Sequence, residues 1–279
     1  MRIDGGHLGS SAAPRSTAAE IAWGLCPDPR SEGPAQTWCL ALEPRPGGPG
    51  AHVFAVATDL GGDGAGGAAG RVTIDALARA AARLHIERPR LWLRDSLATA
   101  GRAVRDHGGG GQVPPMATVT VLVLCGNQAL IGHVGDCRAY LVRSGAIEQC
   151  TTDHTRAAEM VRLRLLTPEQ ALTHPARSLL TRGLGTRPAA SPDIVRRPMR
   201  GGDTWILCSA GMSSALVRSS IVDAVRRCGP LDAACRLVEE VGAGAGAVIA
   251  AVVRPGSAQS HEQRLWYSPR PATRPPEDR

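Results

Sequence analysis

Two rhythms of apolar positions run along the chain, and they come in groups rather than in strict alternation. Short apolar runs predict strands over 37–42 and 52–57, separated by the turn-rich stretch Pro-Arg-Pro-Gly-Gly-Pro-Gly. From 72 to 84 the rhythm becomes helical, with Val72, Leu77, Ala80, Ala81 and Leu84 on one face, and 91–104 repeats it. Strands return over 117–125, 129–134 and 139–143, with turns at Gly126-Asn127, Gly135-Asp136 and Ser144-Gly145. Such short connections favour antiparallel neighbours. Short helices are predicted over 156–165 and 168–172, a strand over 204–209, helices over 219–228 and 231–241, and a last buried strand over 248–253. Strands grouped with strands and helices with helices predict an α+β layered fold.

The ends break the pattern. Residues 1–17 are mostly Gly, Ser, Ala and Pro, and residues 255–279 are rich in Pro and Arg with little to bury, so both read as disordered segments around one domain over 18–254. A length of 279 residues and 43% hydrophobic content suit one large domain with a well-buried core. The sequence has no lysine, one asparagine (Asn127) and one phenylalanine (Phe54), the composition of a GC-rich genome. A net charge of +7 and a pI near 9.4 raise the question of an acidic partner. The arginines are scattered, however, without the aromatic interleaving that single-stranded nucleic acid needs for stacking, so no nucleic acid is expected. The eight cysteines form no C-x-x-C pair, and Cys125 and Cys208 end apolar runs, which reads as buried free thiols in a reducing cytoplasm. The first nineteen residues carry no apolar core of a signal segment, and nowhere do eighteen apolar residues run together, so neither export nor a membrane is expected.

Four ordered segments resemble the bacterial type 2C (PPM) metal-dependent Ser/Thr protein phosphatases. FAVATDLGGDGAGGAAG, 54–70, is similar to that family's strand and loop ending in Asp-Gly-Met-Gly-Gly. TVTVLVLCGNQALIGHVGDCRAYLVRSGAIEQCTTDHT, 118–155, resembles its central hairpins throughout. LTPEQALTHPARSLLTRGLGT, 166–186, resembles a flap ending in Leu-Thr-Arg-x-Leu-Gly, and GGDTWILCSAGMSSAL, 201–216, a strand ending in Cys-Ser-Asp-Gly-Leu. The resemblance implies a four-layer α-β-β-α sandwich of two antiparallel sheets flanked by helices, acting on phosphoserine and phosphothreonine in proteins.

It also implies a chemistry. Hydrolysis of a phosphomonoester by a metal-bridging hydroxide takes two divalent cations, and Mg²⁺ or Mn²⁺ takes several oxygen ligands, mainly carboxylates. The family's bridging aspartate falls on Thr58, and Asp59 stands where its glycine would be. The aspartate of Cys-Ser-Asp-Gly falls on Ala210, and the Asp-Asn pair before the last strand on Gly246 and Ala247. The phosphate-gripping arginine aligns with Arg30, and the Asn-Glu-Asp after it with Gly33, Pro34 and Ala35. Two acidic residues remain as a residual metal set. Asp136 matches the aspartate of Gly-Asp-Ser-Arg, with a turn-capping role as the alternative, and Asp59 sits one residue out of register, which on a strand turns a side chain to the other face. Asp63 reads as exposed loop polarity, and His133 and His154 as framework residues. The glycines of 61–70 lack a Gly-Lys-Ser/Thr ending and read as tight turns.

The sequence thus predicts a phosphatase-like protein that has lost its catalytic metals: an inactive pseudophosphatase serving as a protein-binding or regulatory module. The alternative is a weakly active metal-dependent phosphoserine/phosphothreonine phosphatase. No cofactor is expected, or Mn²⁺ or Mg²⁺ if the protein is active, and the expected partner is a protein, phosphorylated or not.

Overall fold

A computed structural model of the chain describes residues 20–27, 37–44, 50–60, 68–84, 87–107, 114–186, 188–209, 211–212, 218–241 and 246–253. The expectations for 1–17, 255–279, Arg30, Gly33 to Ala35, Asp63 and Ala210 lie outside the described residues.

The described strands form two five-stranded antiparallel sheets. The first runs in the order β1 (Glu20–Pro27), β10 (Gly246–Val253), β9 (Thr204–Cys208), β6 (Arg138–Arg143), β7 (Ala146–Gln149). The second runs β2 (Thr37–Leu42), β3 (Ala51–Leu60), β4 (Met116–Cys125), β5 (Gln128–Val134), β8 (Asp193–Pro198). Helices α1 (Ala69–Ala81) and α2 (Pro89–His107) cover the outer face of the second sheet. Between β7 and β8 come α3 (Arg156–Arg162), α4 (Pro168–Thr173) and a 3-10 turn, Pro175–Ser178. Helices α5 (Arg218–Arg227) and α6 (Pro230–Val241) cover the first sheet. This is the four-layer α-β-β-α sandwich that the resemblance implied.

The alternation of side chains along β3 builds two of the three cores. Phe54 and Val56 point between the sheets, where they meet Leu122, Ile131, Cys137 and Trp205. Ala55 and Ala57 point outward beneath Leu77, Leu93 and Leu97 of the helices. The third core lies under α5 and α6, around Ile206, Leu237 and Val238. Because both faces of β4 are covered, it reads as one continuous buried run rather than an alternation.

Three strands escape the sequence pattern. In β1, Ile21, Trp23 and Leu25 alternate toward the inter-sheet core, but the intervening Ala22, Gly24 and Cys26 blur the polar half of the alternation. Both β7 and β8 are edge strands, largely half-exposed, with too few apolar positions to signal themselves. Helix α3 also stops earlier than its apolar spacing predicts, since Arg164 takes a φ of 60°.

Gly24 lets α6 lie directly against β1, because a Cβ there would overlap the backbone of Pro230 and Leu231. Gly24→Ala is therefore expected to cost about 1–3 kcal/mol and to lower the thermal midpoint by several degrees. Gly50, which has open space where its Cβ would be, supplies the control. Equal midpoints for Gly24→Ala and Gly50→Ala would show that this close approach is not needed.

Candidate functional site

The strand register gathers one end of the sandwich. Thr58 on β3 is paired with Thr37 on β2 and Thr118 on β4. On the facing sheet, Pro27 of β1 lies opposite Gly246 of β10, and Cys208 at the end of β9 opposite Arg138 at the start of β6. The turn from β5 to β6, Gly135-Asp136-Cys137, crosses between the sheets at the same end. Gly135 has a φ of +107°, and a Cβ on it would collide with Thr118, so glycine is what lets this turn pack down on β4.

The floor of the resulting cleft is made of hydroxyls and a thiol. Thr58 Oγ1 lies 3.5 Å and Thr118 Oγ1 3.2 Å from the Sγ of the fully buried Cys137. Thr118 also hydrogen-bonds the Asp136 carboxyl. Burial, and then the neighbouring Asp153, push the Asp136 carboxyl up to about 6. Asp153 itself grips Arg138 in a two-pronged pair, Oδ1 to Nε at 2.9 Å and Oδ2 to Nη2 at 2.6 Å, and Arg138 reaches Tyr140. Such a bidentate pair fixes both side chains in direction as well as distance.

Asp59 is elsewhere. One residue on from Thr58, its side chain faces the helices, where one oxygen accepts the Gly70 amide and the other accepts the indole N–H of Trp38 at 3.2 Å. Helix α1 has no side-chain cap of its own and no acid in its first turn, so Asp59 caps it from β3. Gly70 belongs to this arrangement, for its missing Cβ would sit on the Asp59 carboxylate and the Trp38 ring. The two residual acids, Asp59 and Asp136, are thus not brought together. Among the described residues no group of three or more His, Cys, Asp or Glu could hold a metal ion. Of the positions that the resemblance aligns with the family's metal ligands, Thr58 faces the cleft, Gly246 opens β10 at the cleft end, and Ala210 lies outside the described residues.

Behind the floor runs a buried polar network that sequence reasoning gave only as framework. His133 Nδ1 and Thr120 Oγ1 are 2.9 Å apart, and Thr120 donates to the Cys137 carbonyl. The His133 and His154 rings lie 4.6 Å apart. His154 Nδ1 accepts the Gly135 amide, which leaves Nε2 to donate to Asp193 on β8 at 3.1 Å, and Asp193 holds Arg182 at 2.7 Å. One chain of contacts therefore ties the Gly135 turn to the segment after the 3-10 turn. Neither Asp153 nor Asp193 stood out in the sequence, since their partners are between 11 and 39 residues away; Arg182 is the arginine of the Leu-Thr-Arg-x-Leu-Gly segment, and Cys137 could have been found as the residue replacing serine in Gly-Asp-Ser-Arg.

The protein phosphatase 2C family model matches residues 51–173. The serine/threonine protein phosphatase PstP of Mycobacterium tuberculosis is 35% identical over 199 residues, 68% of this chain, which spans only 37% of PstP. Protein phosphatase PhpP of Streptococcus pneumoniae is 29% identical over 180 residues, 63% of this chain and 73% of PhpP. Among solved structures, the S. agalactiae serine/threonine phosphatase superposes with a TM-score of 0.74 at 22% identity over 84% of this chain and all of the other. The catalytic domain of PstP in complex with two manganese ions gives 0.65 at 26% identity, over 84% of this chain and 99% of that one.

The titration of the buried network has a definite sign. Burial first, and then the facing His154, lower the His133 pKa from 6.5 to about 3. As the pH falls below 6.5 the unfolded chain takes up that proton first, so this part of the stability is present above 6.5 and drains away toward 3. Asp136, raised from 3.8 to about 6, works in the opposite sense, adding stability as the pH falls from 6 toward 3.8. Between pH 7 and 5, His133→Gln is expected to remove about 2 kcal/mol of acid-induced loss, and Asp136→Asn to deepen the loss by about 1 kcal/mol. Denaturant unfolding at the two pH values reads both; shifts of the same sign in the two variants would overturn the assignment.

Proposed function

Because the chain belongs to the protein phosphatase 2C (PPM) family, we propose that it keeps the family's scaffold as a phosphoprotein-binding or regulatory module and is catalytically inactive. The observation that carries this reading is the inward position of Thr58. The strand that presents the family's bridging carboxylate presents a hydroxyl here, set against the Cys137 thiol.

The donor set does not fit a pair of hard cations. Mg²⁺ and Mn²⁺ call for several charged or strongly polar oxygens around each ion. The described cleft residues offer threonine hydroxyls, a thiol and the Asp136 carboxyl, while the neighbouring Asp153 carboxylate is taken up by Arg138 and that of Asp59 by α1 through Gly70. What the cleft can do is hydrogen-bond. Next to it, α3, α4 and the 3-10 turn expose Leu163, Leu165, Leu172 and Leu179, apolar surface of the kind that partner proteins cover.

The second reading is a weakly active metal-dependent phosphoserine/phosphothreonine phosphatase. Family membership favours it: the relatives named above are phosphatases, and one has been solved with two manganese ions. It requires metal held by Asp136 with backbone oxygens, or an Asp59 that leaves α1.

Phosphate release from a phosphothreonine peptide in millimolar Mn²⁺ separates the two. The native chain is expected to be silent, and the triple variant Thr58→Asp, Ala210→Asp, Gly246→Asp to gain turnover. Metal-dependent turnover by the native chain would contradict the inactive reading, and Asp136→Asn would then be expected to reduce it.

A further inference from the structure

Far from the cleft, a second concavity opens at the other end of the second sheet. Seven residues of β4 separate Thr118 from Cys125, roughly 23 Å at the usual strand rise. There, between the N-terminus of α2 and the β4–β5 turn, lies a cavity of about 420 Å³. Arg88, Arg90 and Arg196 line it together with Asn127 and Gln128, and Leu130 and Ile194 add apolar wall. All three arginines are exposed, and among the described residues their guanidiniums have no ion pair or hydrogen bond. One lining carboxylate, Glu87, opposes them. Surface guanidiniums usually find a carboxylate or diverge; three around one hollow make a pocket for a doubly charged anion.

The cavity runs on into a groove of about 790 Å³ between α1 and α2, the two sharing Glu87 and Arg88. Leu91, 40% exposed, and Trp92 form its apolar side, and Arg79 and Arg83 flank it. Asp95 also borders the groove but is paired with Arg94 at 3.3 Å. The Trp92 indole donates to the Ala80 carbonyl at 2.9 Å, so this wall is already set before anything binds. The ring is only 8% exposed and offers no face for stacking a base, which weighs against a nucleic-acid occupant.

We infer that this cavity and groove bind a phosphorylated peptide segment, with the phosphate among Arg88, Arg90 and Arg196 and an apolar residue beside Leu91 and Trp92. Arg88 and Trp92 are about one helical turn apart, roughly 5.4 Å. An extended peptide covers that in about two residues, so the segment carries a large apolar side chain two positions from the phosphorylated one. The inference draws on the proposed phosphoprotein-binding role only for the choice of peptide over small phosphate ester; the site itself is separate from the cleft.

Fluorescence anisotropy with fluorescein-Gly-Leu-Ala-pThr-Ala-Leu-Gly tests it, using the full chain in EDTA so that no metal-dependent turnover intrudes. The phosphopeptide is expected to bind at least about tenfold more tightly than its unphosphorylated twin, the effect of one charge-assisted pair of hydrogen bonds. Arg88→Glu with Arg196→Glu, both exposed and expected to leave the melting midpoint unchanged, removes that preference, and Leu91→Asp weakens the phosphopeptide several-fold. Equal affinity in the double variant, equal displacement by a thymidine oligonucleotide of matched charge, or no phosphopeptide binding below millimolar would each overturn it. Any of these would leave the reading of the cleft standing, since that reading is decided by phosphate release.

Discussion

Everything at the cleft depends on the register of β3 between β2 and β4. A strand alternates its side chains with period two, so a buried strand with cores on both faces allows no slip. With Phe54 and Val56 held between the sheets, Thr58 must face the cleft and Asp59 must face the helices. The same constraint that stabilises the sandwich therefore decides which atoms the cleft receives. The Asp59 carboxylate is spent on the start of α1, and it is the Thr58 hydroxyl that reaches the cleft.

Around that strand the frame of the cleft is tied together by packing and by polar contacts. The turn glycine against Thr118, the Arg138–Asp153 pair and the histidine network from Thr120 to Arg182 are all in place. They hold the β5–β6 turn and the segment before β8 in a defined relation to the two sheets. A scaffold that rigid suits recognition as well as catalysis, and it is the chemistry of the floor, more than the fold, that separates the two.

Much of this was legible in the sequence, and the parts that were not share a physical cause. Covered strands such as β4 and β9, and helices with a full apolar face such as α2, announced themselves through periodicity, while β1 hid because the side facing α6 had to be small. Edge strands β7 and β8 bury too little to leave a pattern. The place of Thr58 followed from motif alignment, as did the out-of-register position of Asp59. Its actual employment, capping α1 through Gly70 and Trp38, could not be read from spacing, because it joins three elements that only packing brings together. The arginines of the second concavity looked scattered for the same reason, since Arg88 and Arg90 at the start of α2 meet Arg196 of β8 only through packing.

The claim at the centre is that the cleft has exchanged its cation ligands for hydroxyls and a thiol, and calorimetric titration of Mn²⁺ into the purified chain at neutral pH addresses it most directly. No site tighter than about 1 mM is the predicted result, given so few hard ligands. Two sites in the micromolar range would contradict the account and return the cleft to the active members of the family.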